Sequence, residues 1–235
     1  MATFLELQTR VKRRVIDLPT AVSAEVPDLI NEAIRTLEDF HNFRIMRKTT
    51  TATTVLGQRK LRVLPNDWKA FRGRPYFTSF LGPVTQMTVA PNAQAALKQY
   101  GAVHADTVGT PRVLVAREAD DADVEDIDVY PAPNDISDHP DGNWRITVPY
   151  WRYLTALLND SDTNWFTVNA LQYIIDRATA EAFALNWDTD RAREWQARAK
   201  AARDVVVLLD KTQWLAGVST FVPFRGAAEA KVRIL

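Results

Sequence analysis

The stretch Trp144–Phe183, WRITVPYWRYLTALLNDSDTNWFTVNALQYIIDRATAEAF, marks the point where the chain changes from β-strand to α-helix. Its first seven residues form a β-prone run that predicts a strand over Trp144–Tyr150. Asp162 or Thr163 then stands at an expected helix N-cap, and apolar residues follow at helical spacing. The stretch therefore predicts a β-rich region before it and helices after it.

Two helices are predicted after the cap, each with a narrow, alanine-rich apolar stripe. Alanine on such a stripe allows two helix axes to approach closely, as in a coiled-coil-like pair. Three tryptophans, Trp165, Trp187 and Trp195, fall on or beside the stripes, so we predict core packing for them rather than stacking on nucleic-acid bases. The first stripe consists of Val168, Leu171, Ile175, Ala178, Ala182 and Leu185, and the second of Ala192, Trp195, Ala199, Ala202, Val206 and Leu209.

The N-terminal part of the chain predicts a helical hairpin. Phe4, Leu7, Val11 and Val15 recur at helical spacing, and Ser23 is a suitable N-cap for a second helix. The second helix has the strongest apolar periodicity in this half of the chain. Its stripe contains Val26, Leu29, Ile30, Ala33, Ile34, Leu37 and Phe40.

The region between the two helix pairs predicts an antiparallel β insertion, because short β-prone runs alternate there with glycine and proline. One short helix is expected near Ala93–Gly101. The predicted fold class is α+β: a four-helix bundle core, a β insertion between helices 2 and 3, and an extended C-terminal arm. The predicted domains are 1–43 and 153–211 for the two helix pairs of the bundle, 44–152 for the insertion and 212–235 for the arm. The β-prone runs are Lys60–Leu64, Thr85–Val89, Arg112–Ala116, Ile127–Tyr130 and Trp144–Tyr150.

Composition excludes several classes of protein. The 235 residues contain no cysteine, which excludes disulfides, thiolate catalysis and cysteine metal sites. No apolar run approaches the ~20 residues needed to span a bilayer, and the N-terminus lacks the features of a signal peptide. We expect no membrane partner. A cytosolic location is the simplest interpretation.

Charge is unevenly distributed although the formal net charge is zero. Residues 1–74 carry 14 Lys/Arg against 8 Asp/Glu, whereas residues 118–141 carry 10 acids and no Lys or Arg. The basic groups Arg10-Lys12-Arg13-Arg14 and Arg44-Arg47-Lys48 are typical of exposed helix faces, yet they would also suit DNA. A DNA-binding accessory protein is therefore one alternative function, which steeply salt-dependent DNA binding would support.

Sequence motifs for catalysis are missing. His41, His104 and His139 have no partner at metal-ligand spacing, and no G-x-S-x-G, Walker A or G-x-G-x-x-G pattern occurs. The acidic cluster Ala119–Asp128 resembles a cation site but lacks the glycine and final glutamate of an EF-hand. We predict no catalytic residue, no metal and no cofactor. A small carboxylate- or metal-dependent hydrolase is the alternative, which a tight metal stoichiometry would support.

The segment Thr212–Leu235 is rich in large apolar residues but follows a predicted body that is already complete. Disordered segments are normally poor in such residues, so a partner is expected to cover them. Its anchors suit pockets or an exposed sheet edge on another protein. The predicted partner-binding residues are Trp214, Leu215, Phe221, Val222, Pro223, Phe224, Arg225, Ile234 and Leu235.

The layout resembles the head-to-tail adaptor (connector) proteins of tailed bacteriophages. FLELQTRVKRRVID…EVPDLINEAIRTLED is similar to that family's first helix pair. DVYPAPND and the stretch Trp144–Phe183 are similar to its strand-to-helix transition. The similarity extends from about Phe4 to Asp210.

The resemblance implies a non-enzymatic virion protein of the neck, assembled in the host cytoplasm. Such adaptors form homo-oligomeric rings, typically dodecamers, beneath the portal protein, and a tail or nozzle protein assembles on them while DNA passes through non-specifically. In that family the C-terminal extension commonly reaches into the portal, which fits the apolar C-terminal segment here.

Overall fold

A computed structural model describes residues 2–15, 19–62, 64–78, 84–91, 93–99, 108–116, 126–134 and 144–218. The chain divides into two compact units. One comprises Met1–Ile45 and Thr155–Leu235, and the other comprises Met46–Leu154. We call them the helical unit and the β unit, and describe each by itself.

The helical unit contains five of the α-helices that the structure describes. They are α1 (Phe4–Arg14), α2 (Thr20–Phe40), α4 (Trp165–Asn169), α5 (Leu171–Leu185) and α6 (Thr189–Val218). Helix α2 begins earlier than its sequence suggests, so Ser23 lies inside it and Pro19 occupies the N-cap position without a side-chain cap. Helix α4 is capped by Asn164 rather than by Asp162 or Thr163.

Helix α5 is the centre of this unit, and the predicted four-helix bundle core is wrong. Helix α5 packs against α1, α2, α4 and α6, and nine of its fifteen residues are buried. A helix buried around most of its circumference has neighbours on several sides, whereas a bundle helix presents one stripe to a shared core. The predicted stripe is wrong at both ends, since Val168 and Leu185 are each 44% exposed.

The loop before α4 holds the start of α1. The amides of Phe4 and Leu5 donate to the carbonyl oxygens of Asp162 and Asp160 at 3.0 and 3.1 Å. These bonds satisfy two amides of the first helical turn, which have no partner inside a helix. The Asp162 carboxylate accepts from the amides of Leu158 and Asn159 at 2.8 Å each, so Asp162 orders the loop instead of capping α4.

The described residues of the β unit form three sheets and one short helix, α3 (Ala93–Gln99). The strands are β1 (Arg47–Thr53), β2 (Lys60–Arg62), β3 (Trp68–Phe71), β4 (Tyr76–Thr78), β5 (Val84–Gln86), β6 (Thr88–Ala90), β7 (Val108–Gly109), β8 (Val113–Ala116), β9 (Asp126–Tyr130), β10 (Ala132–Pro133) and β11 (Arg145–Arg152). In the five-stranded sheet, β11 pairs with β1, β3 and β4, and β4 pairs in turn with β5. The four-stranded sheet has the order β2-β9-β8-β6, and β7 pairs with β10.

An all-antiparallel insertion is also a wrong prediction. The pairs β6·β8 and β7·β10 are parallel, and the helix α3 lies between β6 and β8 in the chain, within the crossover that parallel strands require. The core of the β unit includes Met87, Leu114, Ile127 and Ile146, all fully buried.

The predicted arm does not begin at Thr212. Helix α6 continues to Val218, so the first residues assigned to an extended arm are helical. Within the described residues, no helix is long and apolar enough to span a membrane.

Candidate partner-binding site

The second half of α6 has one buried face and one uncovered apolar face. Val206 and Val207 are buried at 4% and 9% exposure. Val205, Leu208 and Leu209 are 57%, 63% and 46% exposed. These three residues follow the i, i+3, i+4 spacing that places side chains on one side of a helix. An apolar strip therefore runs along the outside of α6 directly before the C-terminal segment.

A buried carboxylate fixes this half of the helix to the rest of the unit. Asp210 is 5% exposed and accepts a hydrogen bond from the backbone amide of Arg44 at 3.2 Å. His41 Nε2 lies 3.2 Å from its other oxygen, and Arg44 Nε lies 3.7 Å from the first. A buried charge is tolerated when it is paired and hydrogen-bonded. The Asp210 contacts therefore hold the second half of α6 against the rest of the helical unit, directly before the residues that follow Val218.

Most of the predicted partner-binding residues lie outside the described part of the chain. The backbone of Trp214 and Leu215 belongs to α6. The remaining anchors, Phe221, Val222, Pro223, Phe224, Arg225, Ile234 and Leu235, come after the described residues. Their role in binding stays a prediction.

The candidate metal and catalytic residues are scattered. His41 caps the C-terminus of α2 and contacts Asp210, whereas His104 and His139 lie outside the described residues. Of the acidic cluster, only Asp126, Ile127 and Asp128 are described, and they form part of β9. No group of three or more His, Cys, Asp or Glu side chains that could hold a metal ion occurs in the described part of the chain.

Trp187 contradicts the prediction of core packing for all three helical tryptophans, because it is 90% exposed. It lies in the turn between α5 and α6 with a positive φ of 58°. The amides of Trp187 and Asp188 donate to the carbonyls of Ala184 and Phe183 at 3.1 and 3.0 Å. These bonds define a Schellman motif with Trp187 at C′, a position that glycine normally occupies. The sequence does not indicate this exposure, because Trp187 lies between two predicted stripes and belongs to neither.

A cleft of about 440 Å³ opens between α2, α5 and α6. Two aromatic residues, Phe40 and Tyr173, contribute apolar surface to it, and four cations line it. Burial raises the pKa of Tyr173, although Arg177 and Arg203 act in the opposite direction, so its hydroxyl stays protonated at neutral pH. The cations are Arg177, Arg193, Lys200 and Arg203.

Three of these cations are paired with acids of their own chain. Arg177 pairs with Glu181 at 2.6 Å, and Arg193 lies 3.5 Å from Asp190. The guanidinium of Arg203 lies 3.7 Å from the centre of the Phe40 ring and binds Asp204 at 2.9 Å. Among the described residues that line the cleft, none carries a carboxylate. The lining is therefore aromatic and cationic, which suits a flat π-system, and Lys200 is the remaining lining cation.

The exposed apolar strip on α6 and the aromatic, cation-lined cleft are features of surfaces that bind other molecules. Residues 2–220 match the SU10 adaptor protein family, and the chain belongs to that family. The resemblance to phage head-to-tail adaptors is thereby confirmed, and the protein is a structural adaptor and virion component. No curated protein matches the chain at a significant level.

The family match includes only the first part of the predicted arm. Trp214 and Leu215 lie within the matched residues, and Phe221–Leu235 lie beyond them. The helical anchors therefore belong to the part of the chain that the family shares. The anchors after Thr220 depend on their own chemistry alone.

Proposed function

We propose that the protein forms a homo-oligomeric ring, a dodecamer, that docks beneath the portal vertex through its C-terminal segment. A tail or nozzle protein then assembles on the opposite side, and DNA passes through the ring without sequence readout. The observation that carries this proposal is the uncovered apolar strip Val205-Leu208-Leu209 on α6. It leads along a fixed helix into a segment that is itself rich in aromatic and aliphatic residues.

The strip and the following anchors belong to one apolar part of the sequence. Trp214 and Leu215 continue α6, and Phe221, Val222 and Phe224 come soon after. A large uncovered apolar surface on a protein normally marks a binding site. Aromatic residues dominate the binding energy of such interfaces because each buries a large rigid surface.

A ring strengthens docking by a short segment. Each segment loses conformational freedom when it becomes ordered on the portal. When many copies are held in one ring, binding of the first segments raises the effective concentration of the others. A modest affinity for each segment is thus sufficient for stable attachment of the whole ring.

The arm is tested by comparing the full chain with a chain that ends at Val218, each mixed with the cognate portal protein. Ending at Val218 keeps all of α6 and its Asp210 anchor. We expect the shortened chain to keep its melting temperature and to lose portal binding in sedimentation and electron microscopy. Normal binding by the shortened chain would remove the arm from the proposal.

A point variant separates loss of the anchors from loss of length. The double substitution Phe221→Ser/Phe224→Ser keeps the full chain, and each truncated anchor is expected to cost about 2 kcal/mol of binding free energy or more. Ser219→Ala/Thr220→Ala is the matched control, because it changes two neighbouring residues of the same segment that carry no large apolar side chain. The control pair should bind portal as the unsubstituted chain does.

A further inference from the structure

Trp187 occupies a position that the fold alone disfavours. A non-glycine residue in the left-handed region is strained, and Trp187 has a φ of 58° while 90% of its surface is exposed. The side chain thus gains no burial in return for the strain. Residues held in such conformations cluster at binding and switch sites. An aromatic side chain presented this way is suited to fill a pocket on another protein.

The cleft between α2, α5 and α6 has the complementary chemistry. It offers the rings of Phe40 and Tyr173 and the cations Lys200 and Arg193. Its volume of about 440 Å³ lies within the usual range of pockets that accept a bound group. An indole face attracts cations more strongly than any other side-chain ring. Asp190, close to Trp187 at the start of α6, has a 93% exposed side chain that lies 3.5 Å from Arg193 of its own chain. A pair this exposed contributes little, so Asp190 is able to meet Lys200 of another copy.

We propose that Trp187 of one copy inserts into the cleft of a second copy, and that this contact joins neighbouring subunits of the ring. The proposal rests on the ring described under Proposed function and names its lateral interface. A duplex DNA is a worse occupant, because a double helix is too wide to enter a cleft of about 440 Å³, whereas a single side chain fits. A second copy supplies the indole of Trp187 and the exposed carboxylate of Asp190, whereas the described residues that line the cleft include neither an indole nor a carboxylate.

The contact is compatible with a ring. The donor turn and the acceptor cleft are different surfaces of the same helical unit, so copies can pair reciprocally across a two-fold axis or in one direction from copy to copy. We infer the second, heterologous arrangement from the ring proposed above. Heterologous contacts continue from copy to copy and close into rings when the rotation permits. Each copy contributes one tryptophan and one cleft, so in a closed ring every Trp187 is inserted and every cleft is occupied.

The first test replaces Trp187 by glycine in the full chain. Glycine is the preferred residue at C′, so Trp187→Gly should raise the melting temperature by about 2–4 °C. The same substitution should weaken contact between copies at least about 30-fold, the loss typical of a hot-spot residue. Stability and assembly thus change in opposite directions. A lateral contact as strong as that of the unsubstituted chain would overturn the proposal.

A second variant fills the cleft while leaving Trp187 intact. Ala197 lines the cleft and is exposed on α6, so Ala197→Trp should occupy the space without disturbing the core. Neither variant should form rings alone. Mixed one to one, the intact tryptophan of one and the intact cleft of the other should give a single contact and dimers. Failure of the mixture to associate would contradict a Trp187-to-cleft contact.

Cross-linking detects the contact even when it is weak, because the chain has no cysteine of its own. Copies carrying Thr189→Cys, next to Asp190, are mixed with copies carrying Gln196→Cys, which lines the cleft, and treated with a short bis-maleimide. We expect more cross-linked dimer than with the control pair Glu25→Cys and Gln196→Cys, since Glu25 is exposed on α2. Equal yields from the two pairs would contradict the proposed contact.

Assembly on the cognate portal separates this inference from the proposed function. If the unsubstituted chain forms no ring on portal, the proposed function is wrong, and the lateral interface in that ring is wrong with it. If it forms a ring and Trp187→Gly forms the same ring, only the Trp187 contact is wrong. If Trp187→Gly binds portal through its C-terminal segment without closing a ring, both are supported.

Discussion

Among single residues, a few buried polar side chains tie distant parts of the helical unit together. Asp176 is 2% exposed and binds Arg14 and Gln172, and Asp210 binds His41 and the Arg44 amide. Each carboxylate joins α1 or the end of α2 to a helix more than 160 positions later. Such contacts leave no periodic signal in the sequence, which is why the helix stripes are predictable and these links are not.

Removing the Asp210 carboxylate should destabilise the helical unit. Asp210→Ala leaves the Arg44 amide and the His41 ring without this acceptor, and we expect a loss of about 2–3 kcal/mol in the free energy of unfolding. Glu194→Ala is a matched control on the same helix, because the exposed Glu194–Arg198 pair should contribute less than about 0.5 kcal/mol. Urea denaturation compares the two. Equal effects would show that the Asp210 contacts contribute nothing beyond a surface pair.

Asp162, in the loop before α4, should make the free energy of unfolding depend on pH in the acid range. The amides of Asn159 and Leu158 donate to this carboxylate and hold its pKa below the usual range. A depressed pKa in the folded state stabilises the protein above the unfolded pKa of about 4, and that contribution disappears as the pH falls through the folded value. We expect Asp162→Asn to flatten the fall of unfolding free energy below about pH 4. An unchanged slope would mean that Asp162 contributes no linkage.

Tyr150 should contribute stability that is lost at alkaline pH, whereas the contribution of Asp162 is lost at acid pH. Burial and a hydrogen bond to Asp67 at 2.9 Å raise its pKa, and a hydrogen bond to the same carboxylate raises the pKa of Lys48. Groups with raised pKa values stabilise the fold below their unfolded pKa values of about 10 and lose that effect as the pH rises through the folded values. Tyr150→Phe should therefore cost about 1 kcal/mol at neutral pH and reduce the alkaline loss of stability. Denaturation at about pH 7 and about pH 10 tests both.

Among the elements, α5 decides the architecture of the helical unit. Ala178 and Ala182 are fully buried, and their small side chains let α5 approach its neighbours closely. Replacing Ala182 by leucine adds volume to a filled core, and we expect a loss of about 1–3 kcal/mol in unfolding free energy. Ala184→Leu, at an exposed position of the same helix, should change it by less than about 0.5 kcal/mol. Similar effects at both positions would contradict the central position of α5.

The elements are more predictable from the sequence than their arrangement. Helices α1, α2, α5 and α6, the short α3 and strands β2, β8, β9 and β11 overlap predicted segments, because apolar periodicity and turn residues act locally. The single helix predicted after Asp162 or Thr163 is instead divided into α4 and α5 at Ala170. Strand β1, RKTTTAT, escapes prediction because none of its residues is buried and it has no apolar alternation. Parallel pairing of β6 with β8 depends on a crossover, which local patterns do not encode.

The candidate site is only partly accessible to sequence reasoning. Composition identifies the apolar C-terminal residues, and the order of helices and strands identifies the family. Neither composition nor the order of elements predicts the exposed strip on α6, because the spacing of Leu209 fits a buried stripe as well as an exposed one. Trp187 is wrongly assigned to the core, since the period of a helix gives no direct information on a residue just beyond its end.

In the whole molecule, two separate surfaces are assigned to two partners. The end of α6 and the residues after it are proposed to bind portal, whereas Trp187 and the cleft are proposed to bind neighbouring copies. Substitutions in one surface should therefore leave the other contact intact. Phe221→Ser/Phe224→Ser should still allow the cross-link between Thr189→Cys and Gln196→Cys. Loss of that cross-link would show that the two surfaces are not independent.

Electron cryo-microscopy of the full chain mixed with its cognate portal protein decides whether the C-terminal segment is a portal-binding arm. We predict a closed ring beneath the portal, with Phe221 and Phe224 of every copy buried against portal subunits. A structure in which these two side chains lie in the interior of their own subunit, with portal bound elsewhere or not at all, would contradict this prediction.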